Sequence, residues 1–125
     1  MISSLYIGTA GFSYKDWRGF FYPESVRHGD YLEFYSKRFS CVELDFTYYR
    51  QPFAANMAAM VSKVPDCFRF TVKAHRTMTH EIAGQEQLAK EFETFRQGVF
   101  PIAESGKLAC ILFQFPWSFR PSERS

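Results

Sequence analysis

Several features that would identify a class of protein are missing from this sequence. It has only three cysteines, Cys41, Cys67 and Cys110, and their spacing matches neither a zinc motif nor a disulfide framework. Each lies in or at the start of an apolar stretch, so we expect buried, reduced thiols. No apolar run approaches the roughly 20 residues that a transmembrane helix needs. The beginning, MISSLYIGTAG, lacks the basic and apolar regions of a signal peptide, so we expect a cytoplasmic protein without a membrane partner.

A strong excess of one charge is missing as well. The 15 Lys and Arg residues and the 13 Asp and Glu residues leave a net charge of +2. This charge is too small to indicate nucleic acid as a bulk partner, and only a local basic patch keeps nucleic acid open as an alternative. Aromatic residues, in contrast, are abundant, with 15 Phe, 7 Tyr and 2 Trp. We expect residues 1–125 to form a single domain with a ring-rich core.

Four strand-like segments alternate with three helical patterns along the chain. The strand candidates are residues 5–8, 41–46, 68–73 and 108–115. The first helix begins at a capping box formed by Asp30 and Glu33. A second helical pattern follows at residues 57–64, and a third at residues 88–99, where Gly98 and Pro101 weaken the end. This alternation predicts an α/β fold with a parallel sheet and right-handed crossovers.

Two of the predicted strands carry charged residues on one side only. In FRFTVKAHR the polar side holds Arg69, Lys73 and His75, and in VELDF it holds Glu43 and Asp45. Because both faces of a parallel sheet are covered, the apolar side should meet helices and the polar side should line the lumen of a barrel. A complete TIM-type (β/α)₈ barrel takes about 250 residues. We therefore expect a half-barrel fragment with only the first four βα units, in which the letters PSE at 121–123 begin a further helix and the C-terminal half is absent.

Four motifs resemble the N-terminal signature blocks of a known family. GTAGFSYKDWRGFFYP (8–23), VELDFTYYR (42–50), FRFTVKAHRTMTHE (68–81) and LFQFPWSF (112–119) are similar, in that order, to blocks of the YecE-like family, domain of unknown function seventy-two. The resemblance implies a TIM-type barrel related to xylose-isomerase-like and apurinic-endonuclease barrels. It implies no reaction, because the family has no settled activity. The sequence departs from the family at Phe12, Asp45 and Trp117, where the family usually has Trp, Asn and Pro.

Polar residues at the carboxyl ends of the strands form the predicted site, because barrel enzymes place their working groups there. The candidates for catalysis are Glu43, Asp45, Lys73 and His75, which supply general acids, bases and a cation. The candidates for ligand binding are the other polar and aromatic residues near that end, namely Thr9, Ser13, Trp17, Tyr48, Tyr49, Arg50, Arg76, His80 and Gln114. We expect them to bind a small polar ligand that carries an anionic group, such as a phosphosugar or a nucleotide.

The residues leave other interpretations open. Glu43 and Asp45 could instead neutralise Arg69 and Lys73 in an internal charge network. Histidines of HRTMTHE could hold a metal in a phosphodiesterase that acts on nucleic acid, although the spacing matches no metal motif and no metal or cofactor is assigned. The chain could also be a truncated fragment without enzymatic activity. In either case we expect it to pair with a second copy or with a separately made C-terminal half, because the outer strands of a half-barrel have unpaired edges. The stretch FSYKDWRGFFY is either a stacking platform or a loop packed on itself.

Overall fold

The structure is a computed structural model that describes residues 5–120. Four parallel strands form one sheet in the order β1-β2-β3-β4. The strands are β1 (Gly8–Ala10), β2 (Cys41–Leu44), β3 (Arg69–Lys73) and β4 (Leu108–Leu112). The helices are α1 (Tyr31–Ser36), α2 (Phe46–Tyr49), α3 (Ala54–Val61) and α4 (Gln85–Glu104), with short 3₁₀ turns at Lys15–Trp17, His28–Asp30 and Arg76–Met78. The predicted α/β fold with a parallel sheet is confirmed.

Several boundaries differ from the expectation. The first strand is Gly8–Ala10 and not residues 5–8, because pairing with β2 begins where Gly8 meets Cys41. A side chain on residue 8 would overlap the carbonyl group of Cys41, so only glycine allows the two strands to start there. The second strand ends at Leu44, because Asp45 has helical dihedral angles and immediately precedes the short helix α2. The fourth strand likewise ends at Leu112.

Other local expectations were also wrong. Asp30 occupies the position before α1, but its side chain makes no capping hydrogen bond. Helix α4 continues through Gly98 and Pro101 to Glu104. The cysteines are free thiols, but Cys67 and Cys110 are exposed rather than buried. Cys67 lies in the turn before β3, and Cys110 is paired with Thr71 on the polar face of the sheet. The PSE motif at 121–123 lies outside the described residues.

The helices cover one face of the sheet. Val42, Leu44, Phe70 and Val72 point to this face and are at most 1% exposed. Met57 of α3 and Phe95, Val99 and Ile102 of α4 belong to the same buried cluster. Each such side chain stabilises the fold by roughly 1.5–3 kcal/mol relative to its exposed state. Among the described helices, none has the length and hydropathy that a membrane crossing requires.

A second cluster of aromatic rings fixes the long loop between β1 and α1. Tyr22 is fully buried and stacks on Tyr31 with ring centroids 3.9 Å apart, and Trp17 and Phe21 pack beside it. Tyr35 of α1 donates a hydrogen bond to the carbonyl oxygen of Cys41 at 2.9 Å. The stretch FSYKDWRGFFY is therefore a loop packed on itself and on α1.

The other face of the sheet carries the polar residues. Glu43 is paired with Thr71, and Lys73 is two residues further along β3, so Glu43 and Lys73 share this face as predicted. Cys110 is paired with Thr71 on the same face and is exposed. Strands β1 and β4 each pair on one side only within the described chain. One face and both edges of the sheet are thus uncovered by residues 5–120.

Gly98 offers a test of how closely α4 approaches the segment before α3. A Cβ atom on residue 98 would overlap the carbonyl oxygen of Pro52, and backbone cannot move aside cheaply. We expect Gly98→Ala to lower the free energy of unfolding by about 1–2 kcal/mol, because the overlap outweighs the roughly 1 kcal/mol that alanine gains over glycine in a helix. Urea denaturation measures this difference.

The matched control is Gly29→Ala, since a Cβ atom on residue 29 meets no atom within 4 Å. If Gly98→Ala proves as stable as Gly29→Ala, the close contact between α4 and Pro52 is not present in solution.

Candidate functional site

A pair of carboxyl groups lies at the carboxyl end of β2. The Glu43 side chain is hydrogen-bonded to that of Asp45, and this contact, with partial burial and the negative charge of Asp45, raises the pKa of Glu43 from 4.5 to about 7. The positive charge of Lys73 acts in the opposite direction. Oδ1 of Asp45 is buried and meets no donor among the described residues. A proton held by Glu43 supplies the donor for its contact with the Asp45 carboxylate.

Lys73 is the cation on the same face. Its ammonium nitrogen is 5.0 Å from the centre of the Tyr48 ring, and it makes no ion pair within 4.0 Å of a carboxylate among residues 5–120. Arg69 instead donates to the backbone oxygens of Asp66 at 2.6 Å and Phe68 at 2.9 Å. The contact ion pairs of an internal charge network are therefore not formed between β2 and β3 in the described chain.

His75 lies in a different network. It is 6% exposed, and its Nδ1 atom is 2.8 Å from the hydroxyl oxygen of Thr77, which donates to Oε1 of Glu91 on α4 at 2.9 Å. Gln51 and Gln87 also donate to the Glu91 carboxylate, each at 2.8 Å. Burial lowers the pKa of His75, with Arg76 as the next cause. These contacts tie the turn after β3 to α4, and no described hydrogen bond joins His75 to the carboxyl pair.

Further candidates are engaged with other parts of the fold. The backbone N–H of Thr9 donates to the Tyr35 hydroxyl at 2.8 Å. The side-chain hydroxyl of Thr9 donates to the Gly11 carbonyl oxygen at 2.6 Å. Arg76 forms an ion pair with Glu81 at 3.4 Å and donates to the Tyr49 carbonyl oxygen at 3.2 Å. These side chains stabilise loops at the carboxyl ends of the strands and are not directed at Glu43.

The remaining candidates are placed around the rim. His80 is exposed, with Nδ1 2.9 Å from the Thr79 hydroxyl and its ring edge-on to Tyr48 at 5.2 Å. Tyr49, Arg50 and Gln114 are exposed, and Trp17 belongs to the aromatic cluster of the first loop. Within residues 5–120, no three His, Cys, Asp or Glu side chains are grouped closely enough to hold a metal ion.

Ser13 lies where two hollows meet. A hollow of about 210 Å³ is lined by Ser13, Asp45 and neighbouring residues of the first and second loops. A second hollow of about 600 Å³ is lined by Ser13, Lys15, Arg18, His28 and Tyr31. The hydroxyl oxygen of Ser13 is 2.8 Å from Nε2 of His28. The three basic residues of the larger hollow were not among the predicted site residues, although two of them stand between aromatic residues in YKDWRGF.

Comparisons with known proteins agree on one family. Residues 6–125 match the family model described as protein of unknown function DUF72. UPF0759 protein YunF of Bacillus subtilis (strain 168) is 35% identical over 115 residues, which are 90% of this chain and 40% of YunF. The solved structure of a DUF72 family protein from Thermotoga maritima MSB8 matches with a TM-score of 0.78 and 37% identity, over 95% of this chain and 47% of that chain. A DUF72 family protein from Enterococcus faecalis V583 matches with a TM-score of 0.66 and 28% identity, over 74% of this chain and 38% of that chain. The chain spans less than half the length of each of these relatives.

The raised pKa of Glu43 predicts opposite responses to two substitutions. Asp45→Asn removes a negative charge and turns an acceptor into a donor, so we expect the pKa of Glu43 to fall towards its ordinary 4.5. Lys73→Met removes the nearby positive charge, so we expect the pKa of Glu43 to rise above about 7. Carboxyl-detected NMR titration of the wild type and both variants measures these pKa values.

Protein stability provides a second measurement of the same shift. Because the pKa of Glu43 is raised in the folded chain, the favourable contribution of the protonated carboxyl is fully present below about pH 4.5 and is lost as the pH rises to about 7. Asp45→Asn should flatten this pH dependence of the urea midpoint. Equal midpoint profiles for the wild type and Asp45→Asn would show that the two carboxyl groups are not coupled.

Proposed function

The chain belongs to the DUF72 family, and we propose that it forms the first half of a TIM-type barrel that binds a small polar ligand with an anionic group. Four parallel strands in sequence order, with helices on one face only, support the half-barrel. The match over 95% of this chain but 47% of the Thermotoga maritima relative supports it further. The ligand lies at the carboxyl ends of β2 and β3, where Glu43 and Lys73 share one face and Asp45 follows β2.

The carboxyl pair is the observation that carries a catalytic role. A carboxyl group with a pKa of about 7 is well populated both with and without its proton at neutral pH, as a general acid or base requires. Glu43 donates its proton to an oxygen of the ligand, and Asp45 holds the Glu43 side chain in place. Lys73, which makes no contact ion pair in the described chain, stabilises negative charge that develops on the ligand. Acid–base chemistry on a polar ligand is thus the reaction class that we propose.

Assembly completes the lumen in this proposal. Two copies pair β4 of one chain with β1 of the other, and the two sheets together supply eight strands. An apolar groove of about 560 Å³ beside β4, lined by Phe92, Phe100 and Phe113 among others, supports burial of that edge. Leu5 and Ile7, which precede β1 and are 81% and 60% exposed, offer apolar side chains at the other edge. A separately made C-terminal half would cover the same surfaces.

Binding of two probe ligands tests the proposed site. Ribose 5-phosphate and AMP combine polar oxygens with a phosphate, so we expect saturation-transfer NMR to detect binding of at least one by the full chain. Glu43→Gln and Lys73→Met should each weaken this binding by about tenfold or more, which corresponds to roughly 1.4 kcal/mol. Because Lys73 makes no contact ion pair in the described chain, Lys73→Met should change stability by less than about 1 kcal/mol.

Lys37→Gln is the matched control for these variants. Lys37 is an exposed lysine that follows α1, 4.0 Å from Glu33. It precedes the first residue of β2, whereas Glu43 and Lys73 lie at the carboxyl ends of β2 and β3. If Glu43→Gln and Lys73→Met bind both probes as well as Lys37→Gln does, the ligand is not held by the polar face.

Light scattering over a dilution series tests the assembly. Both sheet edges are open in the described chain, so we expect a dimer at micromolar concentrations and no stable monomer. Substituting Ile111 or Phe113 beside the open edge by Lys should shift the equilibrium towards monomer, whereas Lys90→Glu on exposed helix surface should not. A wild-type chain that stays monomeric at tens of micromolar, without binding a hydrophobic dye, would contradict the half-barrel.

A further inference from the structure

The larger hollow at the first loop concentrates positive charge. Lys15, Arg18 and His28 line it together with the hydroxyl groups of Ser13 and Tyr31, and no carboxylate is among its lining residues. The chain as a whole has a net charge of only +2, so this local excess is not a consequence of composition. We propose that this hollow binds a phosphate group and so holds the anionic end of the ligand.

Arg18 is positioned by neutral partners. One guanidinium nitrogen donates to the Tyr31 hydroxyl at 3.2 Å, and the other donates to the backbone oxygen of Glu24 at 3.0 Å. A guanidinium group has five N–H donors, and its rigid fork matches the oxygens of a phosphate. Since neither partner carries a negative charge, the guanidinium is oriented while its charge remains available to an anion.

The other cations are likewise not neutralised by contact. In residues 5–120, no ion pair within 4.0 Å involves Lys15, Arg18 or His28. The carboxylates of the same segments, those of Asp16, Glu24 and Asp30, are exposed and do not line the hollow. Lys15 and Arg18 place two positive charges around one concave surface, and a doubly charged phosphate relieves the repulsion between them. The imidazole of His28 lines the same surface.

A fourth basic residue stands next to this hollow. A smaller hollow of about 180 Å³ shares Ser13 and His28 with it and is also lined by Lys63. The Lys63 ammonium group donates to the Gly29 carbonyl oxygen at 3.3 Å and has no carboxylate within 4.0 Å in the described chain. Lys63 thereby extends the positive surface towards α3.

The loop that carries these residues is rigid before any ligand arrives. Tyr22 is fully buried, stacks on Tyr31 and packs beside Trp17, and the N–H of Gly19 donates to the Tyr22 carbonyl oxygen at 2.7 Å. A backbone packed in this way, with the Arg18 guanidinium already hydrogen-bonded, loses less conformational entropy when an anion binds, which strengthens binding for the same contacts. The aromatic cluster therefore positions the loop, and its member Tyr31 also lines the hollow.

Ser13 connects the phosphate hollow to the carboxyl pair. It also lines the hollow of about 210 Å³ that Asp45 lines, so the two hollows adjoin at one side chain. A ligand with its phosphate near Arg18 can extend past Ser13 to Asp45 and Glu43. This extension rests on the proposed function, whereas binding of phosphate itself does not.

Titration of the full chain with inorganic phosphate at low ionic strength tests the proposal. In ¹H–¹⁵N NMR spectra, we expect saturable shifts concentrated in residues 13–31. Lys15→Gln should raise the dissociation constant about fivefold or more, and Arg18→Gln should raise it further. Lys37→Gln removes one positive charge elsewhere and should leave the constant unchanged. Arg18→Gln removes the positive charge and also the guanidinium group that contacts Tyr31 in the loop. Arg18→Lys removes the guanidinium group but keeps the charge, so it should retain part of the binding.

Three outcomes would overturn the phosphate site. Shifts could be absent, they could be spread over lysines of the whole surface, or Lys37→Gln could weaken binding as much as Lys15→Gln.

A polythymidine oligonucleotide added in the same assay distinguishes the source of the phosphate. If it binds more than about a hundredfold tighter than ribose 5-phosphate through the same residues, the site serves a nucleic acid backbone and the small-ligand assignment is wrong.

Glu43→Gln separates this proposal from the proposed function. It should leave the binding of inorganic phosphate unchanged while weakening that of ribose 5-phosphate. If phosphate binds as expected but ribose 5-phosphate never perturbs β2 and β3, the phosphate site stands and the proposed function fails. If Glu43→Gln abolishes the binding of inorganic phosphate in a folded chain, the hollow at Arg18 is not the phosphate site.

Discussion

The structure depends on a division between the two faces of one parallel sheet. Val42, Leu44, Phe70 and Val72 are almost completely buried against the helices, and this burial is the main stabilising contribution available to so short a chain. Strict alternation along β2 and β3 then places every intervening side chain on the opposite face. That face is polar, and within residues 5–120 no helix covers it, so it is available for binding.

Much of this division follows from the sequence, because it depends on local periodicity. The alternation in FRFTVK and VELDF is sufficient to place Glu43 and Lys73 on one face, and the register confirms it. The limits of the strands are less predictable. Leu5, Tyr6 and Ile7 have the composition of a strand, yet β1 begins at Gly8, where the close approach of Cys41 requires a residue without a side chain.

The candidate site is less predictable still, because side-chain partners depend on three-dimensional packing. His75 has the parity of Lys73, but the chain turns after β3 and directs it to Thr77 and, through Thr77, to Glu91. The grouping of Lys15, Arg18 and His28 has no periodic signal at all. It arises because an irregular loop folds around Tyr22, and that fold brings together residues up to 13 positions apart.

The phosphate hollow and the carboxyl pair differ in how strongly they depend on the second half of the proposed barrel. The phosphate hollow is held by the aromatic cluster, which lies entirely in the first loop and α1, so closure of the barrel changes its surroundings little. The carboxyl pair lies on the uncovered face, where burial is one of the causes of the raised pKa of Glu43. Covering that face removes further water from Glu43 and raises its pKa more, unless the partner brings additional positive charge. The proposed phosphate binding thus depends on residues of this chain alone, whereas the proton affinity of Glu43 would also depend on any partner that covers the polar face.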